Sequence, residues 1–125
     1  MKIAVVGSRE FKDMDEARNI IYEMFNPLER VTHADLVSGG AKGIDQLAED
    51  VVDGLNKDYD NTIKKIIYKP DWNKYGKSAG FIRNKLIINE ADFVLAIWDG
   101  KSKGTKHSID LAIKKGIPIN ICIRQ

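Results

Sequence analysis

Cysteine is nearly absent. The one thiol among 125 residues, Cys122, lies in the apolar run 119–123, so no disulfide framework can form within one chain and the side chain reads as a buried, reduced thiol. Only two histidines occur, His33 and His107, and neither stands at metal-ligand spacing from a second ligand, so no metal or resident cofactor is expected. Long hydrophobic runs are missing too. The apolar start at residues 1–6 stops at Gly7, too short for a signal peptide, and nothing approaches the ~20 residues of a membrane span. That predicts no membrane partner and a cytoplasmic address. Net charge is small, +2, which by itself marks neither a nucleic-acid nor a membrane protein.

What is present is a globular composition. Hydrophobic residues make up 43% of the chain, enough at this length for a single domain, 1–125, with one core. Residues 3–6 are continuously apolar and closed by glycine, the pattern of a strand covered on both faces. A first helix should begin near Asp13, with Glu16 as its capping-box partner, and end at Pro27. A second strand covers 34–38. The second helix has the clearest period, with Ile44, Leu47, Ala48, Val51, Val52 and Leu55 on one face. After a polar turn at 58–62, a third strand is expected over 63–68. Then comes a long loop, 69–77, a candidate lid or wall. A third helix from an N-cap at Ser78 to about Glu90 turns Ile82 and Leu86 inward. A fourth strand spans 93–98, a fourth helix starts near Thr105 and stops at Gly116, and a fifth strand closes the chain at 118–123. Alternation of this kind predicts an α/β, doubly wound, Rossmann-like fold: one parallel five-stranded sheet with helices on both faces.

In such sheets ligands bind beyond the carboxyl ends of the strands, at the switch point in strand order. Three glycine-containing loops fall there. Ser38-Gly39-Gly40-Ala41-Lys42-Gly43-Ile44-Asp45 joins a strand to a helix N-terminus, where free backbone N–H groups and the helix dipole favour an anion. Gly7-Ser8-Arg9 and Gly100-Lys101-Ser102-Lys103-Gly104-Thr105 follow the first and fourth strands. Together they predict one phosphate-binding crevice. Gly39, Gly40 and Gly43 permit close approach by a ligand, Ser8 and Ser38 offer hydroxyls, and Arg9 and Arg83 supply guanidinium forks suited to phosphate. Lys42, Lys77, Lys101, Lys103 and Lys106 fall in or beside the same region. Asp45 is either a dipole-stabilised carboxylate or an acceptor for a ribose hydroxyl. Asn84 either bonds a ribose or base edge or fixes Arg83, and Trp72 either stacks on a base or pins the long loop.

Two better-known phosphate motifs are excluded. Gly76-Lys77-Ser78 and Gly100-Lys101-Ser102 resemble the end of a P-loop, but the glycine required five positions earlier is replaced by Asp71 and Leu95. No G-x-G-x-x-G follows the first strand, and the chain is too short for two mononucleotide halves.

Four motifs, in order, carry a family resemblance: Gly7-Ser8-Arg9 with Phe11; the loop from Ser38 to Asp45; Asp71-Trp72 with Gly76-Lys77 and Ala79-Gly80-x-x-Arg83-Asn84; and Ala91-Asp92 through Gly104-Thr105. They resemble the YspA-like branch of the SLOG superfamily, named for the Smf, DprA and LOG proteins. The resemblance implies a compact domain that binds nucleotides or nucleotide-derived signals as a sensor or sequestering module, and a homodimer by analogy. LOG enzymes cleave the base from nucleoside 5′-monophosphates with an arginine, matched by Arg83, and a glutamate, whose position is Ser108. A hydroxyl cannot replace that carboxylate, so phosphoribohydrolase activity is the alternative, with Arg83 and Asp45 as its catalytic candidates. A further alternative is single-stranded nucleic-acid binding of the DprA type. With few aromatics beyond Trp72 and Tyr75 near the crevice and no broad basic face, the sequence sets nucleic acid aside as an unlikely partner. The expected ligand contacts are Gly7, Ser8, Arg9, Ser38, Gly39, Gly40, Lys42, Gly43, Asp45, Trp72, Lys77, Arg83, Asn84, Gly100, Ser102, Gly104 and Thr105.

Overall fold

A computed structural model describes residues 1–28, 30, 32–59 and 63–125. Five strands alternate with helices: β1 (Lys2–Gly7), α1 (Met14–Phe25), β2 (Asp35–Ser38), α2 (Ile44–Asp58), β3 (Lys65–Ile67), α3 (Trp72–Tyr75), α4 (Ala79–Glu90), β4 (Phe93–Trp98), α5 (Lys103–Lys115) and β5 (Ile119–Ile123). The sheet order is β3-β2-β1-β4-β5, and every neighbouring pair is parallel. The chain therefore builds outward from β1 on one side, returns, and builds outward on the other, so the switch point lies between β1 and β4.

Continuous apolar strands are needed because both faces are covered. In β1, Ile3 and Val5 face one cluster with Ile21 and Phe25 of α1 and Leu47, Val51 and Leu55 of α2. Ala4 and Val6 face the opposite cluster with Ile87 and Ile88 of α4 and Ile109 and Ala112 of α5. All six apolar positions expected on the inner face of α2 are buried. Among the described residues no helix is long and apolar enough to cross a membrane.

Local chemistry explains several boundaries. The Asp13 carboxylate accepts the N–H of Glu16 at 2.9 Å and starts α1, but Glu16 does not complete a capping box: its own carboxylate pairs with Arg124 at 2.6 Å, which ties α1 to the end of β5. The third strand is shorter than its apolar run, because Ile63 exchanges both backbone hydrogen bonds with the Asn56 side chain at the end of α2. Of the polar turn expected at 58–62, Asp60, Asn61 and Thr62 lie outside the described residues. The long loop contains a short helix, α3, capped by Asp71, followed by a 3-10 turn. Ser78 makes no side-chain cap bond to α4. Cys122 is half-buried rather than buried, since β5 is an edge strand.

The largest correction concerns α4. Ile82 and Leu86 were expected inside, yet Leu86 is 46% exposed, and the inner face is formed by Ala79, Asn84, Ile87 and Ile88. Asn84 explains the rotation. Its amide nitrogen donates to the Gly104 carbonyl at 3.4 Å and contacts His107 Nδ1 at 3.3 Å, which pins α4 by a polar residue to the first turns of α5.

Candidate functional site

The three loops do meet. The backbone N–H of Asp99, just after β4, donates to Ser8 Oγ at 3.1 Å, and Ile44 N–H donates to the Ser8 carbonyl. A Cβ on Gly43 would stand 2.5 Å from the Arg9 carbonyl oxygen. Beyond them, at the β1/β4 switch point, opens a crevice of about 390 Å³, within the usual size range of small-molecule sites. From the first loop Gly7, Arg9 and Glu10 line it, from the second Ala41 and Asp45, and from α4 Arg83, Asn84 and Ile87. The last loop and α5 add Asp99, Ser102, Gly104, Thr105 and Ser108.

Of the sequence-predicted contacts, Gly7, Arg9, Asp45, Arg83, Asn84, Ser102, Gly104 and Thr105 line this space. Others lie beneath or beside it. Ser8 and Ser38 are buried, their hydroxyls used by the loops themselves: Ser8 accepts from Asp99, and Ser38 accepts from Gly40 N–H and donates toward Glu49. Gly39 sits under Arg83, Gly40 against Ile67 and Lys69, Gly43 against Arg9, and Gly100 against Gln125. Lys42, Lys77, Lys101, Lys103 and Lys106 are exposed and absent from the lining; Lys106 pairs with Asp110 one helical turn on. Trp72 is 55% exposed and flanks Gly80, outside the crevice. The positive charge in the crevice therefore comes from Arg9 and Arg83.

Arg83 is the most constrained of these groups. Its Nη1 donates to the Gly39 carbonyl at 2.7 Å and its Nε to Asn84 Oδ1 at 3.1 Å, so a helix residue is clamped onto the glycine loop after β2. Asp45 faces the same junction. Burial pushes its carboxyl up to about 6, against the opposing pull of the Ala41 N–H, which it accepts at 3.2 Å, and of the Arg83 charge. Carboxyls perturbed by burial in a cleft beside a charge partner cluster at functional sites and occur in structural networks as well.

Sequence reading missed Glu10 and Asp99. Asp99 had a local signal: an acid just after a strand and before Gly100, accepting the N–H groups of Lys101 and Ser102, both at 2.8 Å. Those bonds hold its carboxyl below the ordinary range and keep the loop folded back over β4, as does the Trp98 indole N–H donating to the Ser102 carbonyl at 3.0 Å.

The raised Asp45 carboxyl makes stability depend on pH. The folded-state value of about 6 lies above the unfolded 3.8, so the fold prefers the protonated form. Its contribution is fully present below about pH 4 and is lost by about pH 6, a change of about 3 kcal/mol. Asp45→Asn keeps an acceptor for Ala41 and cannot ionise. Urea unfolding at the two ends of this window should show the variant gaining on the parent by about 2–3 kcal/mol as pH rises; a difference that does not change with pH would contradict it.

No protein-family model matches the chain. Over 121 residues it is 32% identical to the Gene 61 protein of Mycobacterium phage D29, an alignment covering 94% of this chain and 93% of that protein. The chain belongs to the family of that Gene 61 protein. Among solved structures, this Gene 61 family chain shares its fold with DNA processing protein A from Helicobacter pylori (TM-score 0.74, 22% identity, 100% of this chain and 66% of that one). It shares it also with the Streptococcus pneumoniae DprA (TM-score 0.73, 22% identity, 96% and 49%). The Gene 61 family chain thus spans between half and two thirds of those two proteins. The resemblance to the Smf, DprA and LOG superfamily agrees at the level of the fold. One expectation is overturned: nucleic acid was set aside as a partner, yet the Helicobacter pylori protein of this fold is described for its single-stranded DNA binding mode. The few aromatics near the crevice and the lack of a broad basic face do not exclude it.

Proposed function

We propose that this chain binds a nucleotide through its phosphate in the crevice between β1 and β4, as a sensor or sequestering module. The observation that carries the reading is the pair of guanidiniums, Arg9 and Arg83, at the switch point of a parallel sheet, with Arg83 held in place by Gly39 and Asn84. A preset guanidinium fork recognises phosphate at little entropic cost. The order of the four motifs supports placing the chain in the YspA-like branch. Ser108 lines the crevice where LOG enzymes carry glutamate, which favours binding over base release.

The test is calorimetric titration with nucleoside 5′-monophosphates and ribose 5-phosphate, followed by mass spectrometry of the recovered ligand. Saturable one-site binding with the ligand intact is expected. Release of free base would move the reading to hydrolysis, and no heat with any of these ligands would remove it.

A second reading, single-stranded DNA, is favoured by the exposed aromatic segment before α4. Trp72 and Tyr75 are 55% and 41% exposed, and Lys74 lies 5.1 Å over the Tyr75 ring. Aromatics beside cations form sequence-tolerant stacking platforms. Retention of short oligonucleotides that weakens steeply with salt, and is lost in a Trp72→Ala, Tyr75→Ala variant, would favour this reading over the first.

A further inference from the structure

The first turns of α4 and α5 hold an aromatic pair that the phosphate crevice does not use. Phe81 is 50% exposed, and its ring lies 4.5 Å from that of His107, tilted by 57°. Both are coupled to the crevice wall. An amide nitrogen only donates, so Asn84 Nδ2 gives its hydrogen to His107 Nδ1 at 3.3 Å. The imidazole is then neutral with its remaining hydrogen on Nε2, in keeping with burial and Lys85, which hold its basicity below the ordinary value. The other end of Asn84 accepts from Arg83. One hydrogen-bonded series thus runs from the Gly39 carbonyl through Arg83 and Asn84 to His107, against which Phe81 packs.

Gly104 stands one turn before His107 in α5. It lines the crevice and its carbonyl accepts from Asn84. Nothing stands within 4 Å of where its Cβ would be, so no side chain covers the crevice wall at that point. The exposed phenyl ring is held against an imidazole that is bonded to Asn84, the residue that also accepts from Arg83.

We propose that Phe81, backed by His107, is the base-stacking subsite of this crevice, taking the nucleobase of a nucleotide whose phosphate is held by Arg83 and Arg9. The inference rests on the nucleotide reading above and adds to it the part of the ligand that distinguishes a nucleotide from a simple sugar phosphate.

The test compares dissociation constants for adenosine 5′-monophosphate and ribose 5-phosphate. Phe81→Ala should weaken the nucleotide about tenfold and leave ribose 5-phosphate within about twofold, and Phe81→Tyr should restore nucleotide affinity. Because Phe81 is half exposed, both variants should keep the parent's thermal unfolding, which is checked alongside. Loss of both ligands in parallel, or of neither, overturns the subsite while leaving the phosphate site standing. Equal affinity of the parent for the two ligands does the same. Failure of the parent to bind either one removes the crevice reading, and the subsite with it.

Discussion

Replacing Arg83 by alanine is expected to weaken phosphate-ligand binding by about a hundredfold. A hydrogen bond to an ionised group contributes about 1.5–3 kcal/mol, which is between about ten and a hundred in affinity. Two effects push Arg83 to the upper end. Its Nη1 and Nε are committed to Gly39 and Asn84, and among the described residues Nη2 has no partner, so the fork is already oriented before the ligand arrives. Its charge also opposes the burial that raises the Asp45 carboxyl. Without it the Asp45 carboxyl rises further, and of the two guanidiniums that line the crevice Arg9 alone remains. Arg83→Lys should fall between parent and alanine variant, because an ammonium keeps the charge and loses the planar fork. Titration of all three proteins with ribose 5-phosphate at neutral pH measures the order. Equal constants would mean that the arginine only braces the glycine loop.

Gly43→Ala should cost about 3 kcal/mol of stability, with the same crevice disturbed as a consequence. The residue has φ +82° and ψ −125° at the N-cap of α2, a conformation that costs an L-residue of order 1–3 kcal/mol. The added Cβ would also stand 2.5 Å from the Arg9 carbonyl oxygen and 2.6 Å from its Cα. These are backbone atoms and cannot rotate away, so the loops after β1 and β2 must separate. Against a total stability of about 5–15 kcal/mol for a domain, the loss is large. Gly54→Ala is the control: it lies inside α2 with nothing within 4 Å of a new Cβ, and should stabilise by about 0.5–1 kcal/mol. Urea midpoints shifted in opposite directions at unchanged slope are the expected result. An unshifted midpoint for Gly43→Ala would show that the two loops are not locked together. Separation of the loops also displaces Arg9, so ligand affinity should fall with stability in this variant and remain at the parent's level in Gly54→Ala.

Much of this was legible in the order of residues. The apolar run of β1, the helical period of α2 and the Gly116 stop after α5 are local patterns, each set by neighbours within a few positions. Their alternation was enough to predict a parallel sheet and to send Gly7, Gly39 and Gly104 to one edge of it. The tertiary structure alone decided which side chains reach the crevice. Lys101 and Ser102 are adjacent in sequence, yet Ser102 lines the space and Lys101 does not. Ser8, read as a ligand donor, links two loops through Asp99, and Ser38 bonds Gly40 of its own loop and Glu49 of α2. The rotation of α4 that turns Leu86 out and Asn84 in depends on a partner twenty residues away at Gly104, and the clamp of Arg83 on Gly39 spans forty-four. Composition and periodicity report what a segment prefers by itself. The weakened acidity of Asp45, the clamp of Arg83 and the pairing of Phe81 with His107 arise only where distant segments come together, and that is fixed by register and packing across the whole sheet.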